Sequence, residues 1–183
     1  MRALVIGRAA GVWDEVKQAQ DLIKPNKFDI VVATNIVGCD YPGQLDHWVT
    51  FHVLSLVNWI AKRHQNGFAP ALNYWTSPSQ KKFQDRVPVS FQYVQCEGGS
   101  SGLLATCTAL QVGATHVVLA GIPMEMERGQ YDTDKAWSEA EVYRQVWEER
   151  LDYLKPTVRS LSGWTQRLLG APTKEWLNEA ASP

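Results

Sequence analysis

Several common sequence signals are absent from this chain, and each absence removes a class of protein. Three cysteines in 183 residues, at Cys39, Cys96 and Cys107, are odd in number and widely spaced. They support neither a disulfide framework nor a C-x-x-C metal site, and they suit a reducing cytoplasm. No apolar run approaches the length of about 18 residues that a spanning helix needs. The start, Met1-Arg2-Ala3-Leu4-Val5-Ile6-Gly7, has the length of a core strand and not of a signal peptide. A formal net charge of -1 offers no field for nucleic acid or an anionic membrane, so neither is expected as a whole-surface partner. The Walker pattern G-x-x-x-x-G-K-[ST] does not occur. Gly99-Ser100-Ser101-Gly102 lacks the spacing of a G-x-S-x-G nucleophile elbow.

What is present is the composition of a globular protein, 45% hydrophobic and 20% charged, with eight tryptophans. Most of the tryptophans should be core, with a few left to line a pocket. Short apolar runs alternate with helical patterns. Arg2 to Ile6 reads as a buried strand, and Val12, Val16, Ala19, Leu22 and Ile23 follow with helical spacing up to Pro25. Phe28 to Asn35 is a second strand, and His47 to Phe51 a third. A helix should run from Val53 to near Asn66-Gly67, and Ala71 to Trp75 is a fourth strand. Residues 76–88 form a polar connection carrying Lys81, Lys82 and Arg86. Alternation of this kind predicts an α/β fold of three layers, a mainly parallel sheet with helices on both faces.

One stretch organises the rest. Strand-like Val89 to Val94 leads into Gly98-Gly99-Ser100-Ser101-Gly102, a helical run to Gly113, and a further strand from Val117 to Ala120. The glycines permit close backbone approach, and a helix N-terminus favours an anion. Gly99, Ser100, Ser101 and Gly102 therefore read as a phosphate or nucleotide cradle, or as an ordinary serine N-cap. Gly7 and Arg8, at the first strand-to-helix corner, form a second candidate anion site, and an unliganded turn is the competing reading. Residues 125–134 are acidic and aperiodic, a mobile loop over the strand ends, where Asp132 and its neighbours could hold Mg²⁺ against a diphosphate or simply be solvated. Ligands in open α/β sheets bind beyond the carboxyl ends of the strands. Gly7-Arg8, Asn35, His52, Thr76-Ser77 and the serine loop should converge there. His52 is a candidate general base or a helix cap, and Asp132 the second catalytic candidate. His47 reads as structural, and His116 belongs at the opposite end of the sheet. Trp137 to Leu154 is the longest predicted helix, with short helical segments at 163–169 and 173–180. The whole of 1–183 reads as a single domain, its C-terminal helical segment 137–183 packed on the sheet.

The block running from Gly98-Gly99-Ser100-Ser101-Gly102 through Leu110-Gln111-Val112-Gly113-Ala114 to Gly121-Ile122-Pro123-Met124 resembles a recurrent pattern of a Rossmann-like superfamily. That group contains the 6-hydroxymethylpterin diphosphokinases of the MptE type and the bacterial sialyltransferases that use CMP-sialic acid. Its uncharacterised phage and prophage members are the most similar. Val5 to Val12 and Asp46 to His52 stand where the group has a G-x-G-P-S turn and a D-y-h-v-t-x-D strand. The resemblance implies a Rossmann-like, nucleotide-dependent transferase of glycosyl or diphospho type, with a nucleotide or nucleotide-sugar donor as its small-molecule ligand. Gly7, Arg8, Asn35, Gly99, Ser100, Ser101 and Gly102 would contact that donor. Ala9-Ala10 replaces a usual Pro-Ser, His52 an acidic residue and Pro123 an aspartate, and no histidine follows His116. These departures favour the alternative reading, a non-catalytic protein that binds and sequesters a nucleotide.

Overall fold

The shortness of the apolar runs fixes the architecture, because a strand of three to five buried residues needs neighbours on both edges and cover on both faces. The structure is a computed structural model and describes residues 1–96, 98–133 and 135–179. Seven strands form one sheet: β1 (Arg2–Ile6), β2 (Ile30–Thr34), β3 (His47–Val49), β4 (Asn73–Thr76), β5 (Phe91–Tyr93), β6 (His116–Ala120) and β7 (Val158–Ser160). Their order is β5-β4-β3-β2-β1-β6-β7 and every pairing is parallel. β1 lies between β2 and β6, with Val5 opposite Val32 on one side and Leu119 on the other.

Alternate residues of the central strands enter different cores. Ala3, Val5, Val117 and Leu119 pack with α4 (Ser101–Gln111), whereas Leu4, Ile6, Val118 and Ala120 pack with α1 (Val12–Ile23). The second face also takes α2 (Val37–Asp40), which sequence periodicity did not indicate, and α3 (Val53–Gln65) through Val53 and Leu56. Seven consecutive residues of α4, Leu103 to Ala109, are buried. Its two threonines are accommodated because their hydroxyls donate one turn back, Thr106 to Gly102 O and Thr108 to Leu104 O, at 2.8 and 2.9 Å. The three cysteines are free thiols, but Cys96 and Cys107 are not far apart in space. Their sulfurs lie 3.0 Å from each other, tying the entry of the serine loop to the middle of α4.

The continuous helix expected from Trp137 to Leu154 does not form. The segment contains a 3-10 turn at Glu141–Tyr143, then α5 (Arg144–Glu148) and α6 (Leu151–Leu154), separated at Glu149 and Arg150. Arg150 leaves helical geometry with φ -107° and ψ 9°. Trp147 and Leu154 are both fully buried in the α4-side core, and tertiary packing overrides local continuity here. The short α7 (Gly163–Leu169) and α8 (Lys174–Asn178) follow, with Leu169 joining one core and Trp176 and Leu177 the other. No helix among the described residues is long and apolar enough to cross a membrane.

Candidate functional site

The chain runs outward from β1 to β5 and then returns through α4 to β6 on the other side of β1. The connections at the carboxyl ends of β1 and β6 therefore lead in opposite directions, and a crevice opens at this switch. Gly7 follows β1 and Gly121 follows β6. A side chain on Gly7 would run into Gly121 O and the Ile122 side chain, so the two chain segments pass at backbone distance. Gly121 adopts φ 67° and its N–H donates to buried Glu15 at 2.7 Å. A cavity of about 580 Å³ lies above them, walled by both corners, the serine loop, Asn35, His52 and the segment Ile122 to Glu125. Among the described residues, the two non-glycine residues with positive φ, Asn35 at 48° and Met124 at 53°, both line it. Uncommon backbone geometry concentrated at one cavity is characteristic of functional sites.

The serine loop presents donors to this cavity. Ser100 is buried, and its hydroxyl accepts from Leu103 N at 3.3 Å, so the N-cap reading is correct for that residue. Among the described residues, no acceptor engages the N–H groups of Gly99, Ser100, Ser101 and Gly102 or the hydroxyl of Ser101. These groups, at the positive end of an eleven-residue helix, can receive an oxyanion.

The first corner is committed differently. Gly7 N–H donates to Ala120 O, Ala9 N–H to Gly121 O and Ala10 N–H to Gly129 O. Arg8 grips Asp132 with two hydrogen bonds of 2.6 Å. Burial pushes the Asp132 carboxyl up, but the hydrogen bond and charge of Arg8 outweigh it and hold the group below the ordinary carboxylate value. The segment from Gly129 to Thr133 is thus strapped across the corner. Tyr131 N–H donates to Arg8 O, and its hydroxyl donates to Asp40 at 2.6 Å.

With cavity and donors placed, comparison with solved proteins is informative. The chain shares its fold with sialyltransferases. The sialyltransferase CstII from Campylobacter jejuni, in complex with the substrate analogue CMP-3FNeuAc, superposes with TM-score 0.58 at 13% identity, over 98% of this chain and 87% of that one. A variant of that enzyme in complex with CMP gives 0.64 at 14% identity, over 97% and 88%. Another variant, also with CMP, gives 0.64 at 13% identity, over 98% and 89%. No protein-family model matches the chain, and no curated protein matches it by sequence.

Within this sialyltransferase-like fold, Gly7, Arg8, Asn35, His52, Gly99, Ser100, Ser101 and Gly102 all line the one cavity. Thr76 and Ser77 do not. Thr76 donates to Thr50 O, and Ser77 caps the 3-10 turn Pro78–Arg86. Asp132 does not line the cavity either, since its carboxylate faces Arg8. Two of the carboxylates considered for Mg²⁺ are paired with arginines. Glu125 pairs with Arg167, Asp132 with Arg8, and no group of three ligating side chains exists among the described residues. Asp134 lies outside them. The lining residues that the sequence did not single out include Phe51, Trp59, Trp137, Glu139 and Tyr143, with Trp137 and Tyr143 stacked at 5.9 Å. Eight tryptophans were the available signal, without a means of assigning them.

Proposed function

We propose that the chain is a glycosyltransferase that uses a nucleotide-sugar donor, binding the donor phosphate at the N-terminus of α4. The observation that carries this is the set of N–H groups at Gly99 to Gly102 that have no acceptor among the described residues and lie at a cavity at the fold's switch point. Glycosyl transfer leaves negative charge on the departing phosphate. The helix N-terminus and the Ser101 hydroxyl are positioned to stabilise that charge as it develops. The solved relatives hold CMP or a CMP-sugar analogue, which makes a CMP-sugar the first donor to test. His52, at the start of α3 and on the cavity wall, is the base for the acceptor hydroxyl in this reading. Among the described residues no three ligating side chains come together, and this reading assigns no residue to a metal.

The test is binding followed by turnover. CMP should raise the melting temperature of the protein by mass action. Ser101→Ala should weaken CMP about tenfold, the loss of one charge-assisted hydrogen bond. CMP release from a CMP-sugar should persist in excess chelator. Failure of every nucleotide to stabilise the protein at millimolar concentration would overturn the reading. The non-catalytic alternative is supported by one specific feature, that no hydrogen bond orients the His52 ring among the described residues. An efficient base is normally held by a third group. CMP binding without turnover of any CMP-sugar would select that alternative.

A further inference from the structure

At the carboxyl end of β2 and β3, one hydroxyl determines the polarity of a cavity wall. Thr50 is fully buried, with its backbone N–H donated to Trp75 O and its carbonyl accepting from Thr76 Oγ1. Its side chain has one proton to give and two lone pairs to receive. The His52 backbone N–H, which can only donate, gives its proton to Thr50 Oγ1 at 2.8 Å. The hydroxyl proton then needs an acceptor, and the Asn35 amide oxygen is 2.8 Å away. With the amide turned over, the Asn35 NH₂ would meet the hydroxyl oxygen and a buried O–H would be left without an acceptor, an arrangement that folded proteins avoid. The bond therefore points Oδ1 inward and Nδ2 outward.

The Asn35 main chain cannot relax around this contact. Its N–H donates to Val49 O at 3.1 Å, its carbonyl accepts from Trp48 Nε1 at 2.7 Å, and its φ is 48°. Nδ2 has no acceptor among the described residues, and Asn35 lines the cavity. We propose that Thr50 is a positioning residue that holds Asn35 as an obligate hydrogen-bond donor, so that this wall accepts an oxyanion of the ligand and rejects a group bearing its own proton. The proposal rests on the nucleotide-donor reading of the same cavity and adds to it a specificity rule. Donors on the Asn35 wall and donors at the N-terminus of α4 together require a ligand whose facing atoms are acceptors.

CMP affinity by titration calorimetry tests it in four proteins: native, Thr50→Val, Thr50→Ser and Asn35→Asp. Valine keeps the shape of threonine and removes both hydrogen bonds, so CMP should bind about tenfold more weakly. Serine restores the hydroxyl and should return affinity to within about twofold of native. Aspartate can still accept from Thr50 but presents an acceptor to the phosphate, and should weaken CMP by about thirtyfold or more. Native affinity in Thr50→Val or in Asn35→Asp overturns the proposal while leaving the nucleotide reading intact. If the native protein binds no nucleotide, that reading fails by itself, and nitrogen-edited NMR of the unliganded protein decides the orientation. The Asn35 side-chain NH₂ should exchange with solvent as an unbonded amide, and protection of those protons would overturn the assignment.

Discussion

The two glycine-bearing corners around the cavity have the same local grammar, strand then small residues then helix, and the structure uses them in opposite ways. At Gly7 to Ala10, three N–H groups close on carbonyls of the neighbouring strand end and strap, and Arg8 is held by Asp132. At Gly99 to Gly102, no acceptor among the described residues takes the N–H groups, and Ser100 is spent on the cap. The first corner's glycine exists so that two backbones can cross, and the second corner's glycines supply left-handed turns, with φ 74° at Gly98 and 78° at Gly99. A small residue before a helix therefore signals close approach without saying what approaches. The partner is identified by whether the N–H groups already have acceptors.

Alanine substitution should separate the corners most sharply. At Gly7 the added methyl meets the fixed carbonyl of Gly121 and the Ile122 side chain, so Gly7→Ala should cost about 3 kcal/mol or more. At Gly98 the nearest atom is Val146 Cγ1 at 3.7 Å, and the cost is that of a left-handed alanine, about 1 kcal/mol. Urea unfolding of the two variants measures the difference. Equal losses would mean that the β1 and β6 ends do not cross as described.

Asp132→Asn should reverse the character of the first corner. Asparagine cannot hold the guanidinium with two charged bonds, and loss of this partly buried pair should cost about 1 kcal/mol of stability. Released Arg8 lines the cavity, so CMP should bind about threefold more tightly than to the native protein. Calorimetry beside Ser101→Ala, which is expected to weaken binding, gives the two corners opposite signs. Weaker binding in Asp132→Asn would show that the strap itself shapes the site.

These contrasts also explain what could be read from the sequence. The order of strands and helices was legible because each apolar run is short and punctuated, and the parallel sheet followed from their alternation. Gly7, Arg8, Asn35 and the serine loop were legible as corner residues facing the cavity, because switch-point geometry brings their strand ends together, whereas Thr76 and Ser77, two strands further out, stay clear of it. The state of Arg8 was not, since its partner Asp132 lies 124 positions away and is brought to it by the strap. The break at Glu149 and Arg150 was invisible as well. No glycine or proline marks it, and it follows from burying Trp147 and Leu154 in one core. The aromatic wall was hidden for the same reason, because tryptophan and tyrosine in helical patterns serve core and pocket equally well.

The smallest expected effect contrasts the two ends of the third strand, where one histidine is committed and the other open. His47, the first residue of β3, is buried and its Nδ1 accepts from Trp75 Nε1 at 2.9 Å. That bond requires a neutral ring at Nδ1. Burial lowers the His47 pKa from 6.5, and the charge of Asp46 opposes the shift without cancelling it. The unfolded chain therefore binds this proton more readily than the folded one, and stability rises with pH across the interval between the two values. His47 should contribute fully above about pH 6.5 and progressively less on acidification below it. His116 acts in the same direction, lowered by burial and by the neighbouring N-terminus. His47→Gln removes the titration while keeping an oxygen acceptor for the indole. Its urea midpoint should therefore fall less steeply than that of the native protein between about pH 7 and pH 5, with the remaining slope due to His116. An unchanged slope would show that His47 is not held neutral by Trp75.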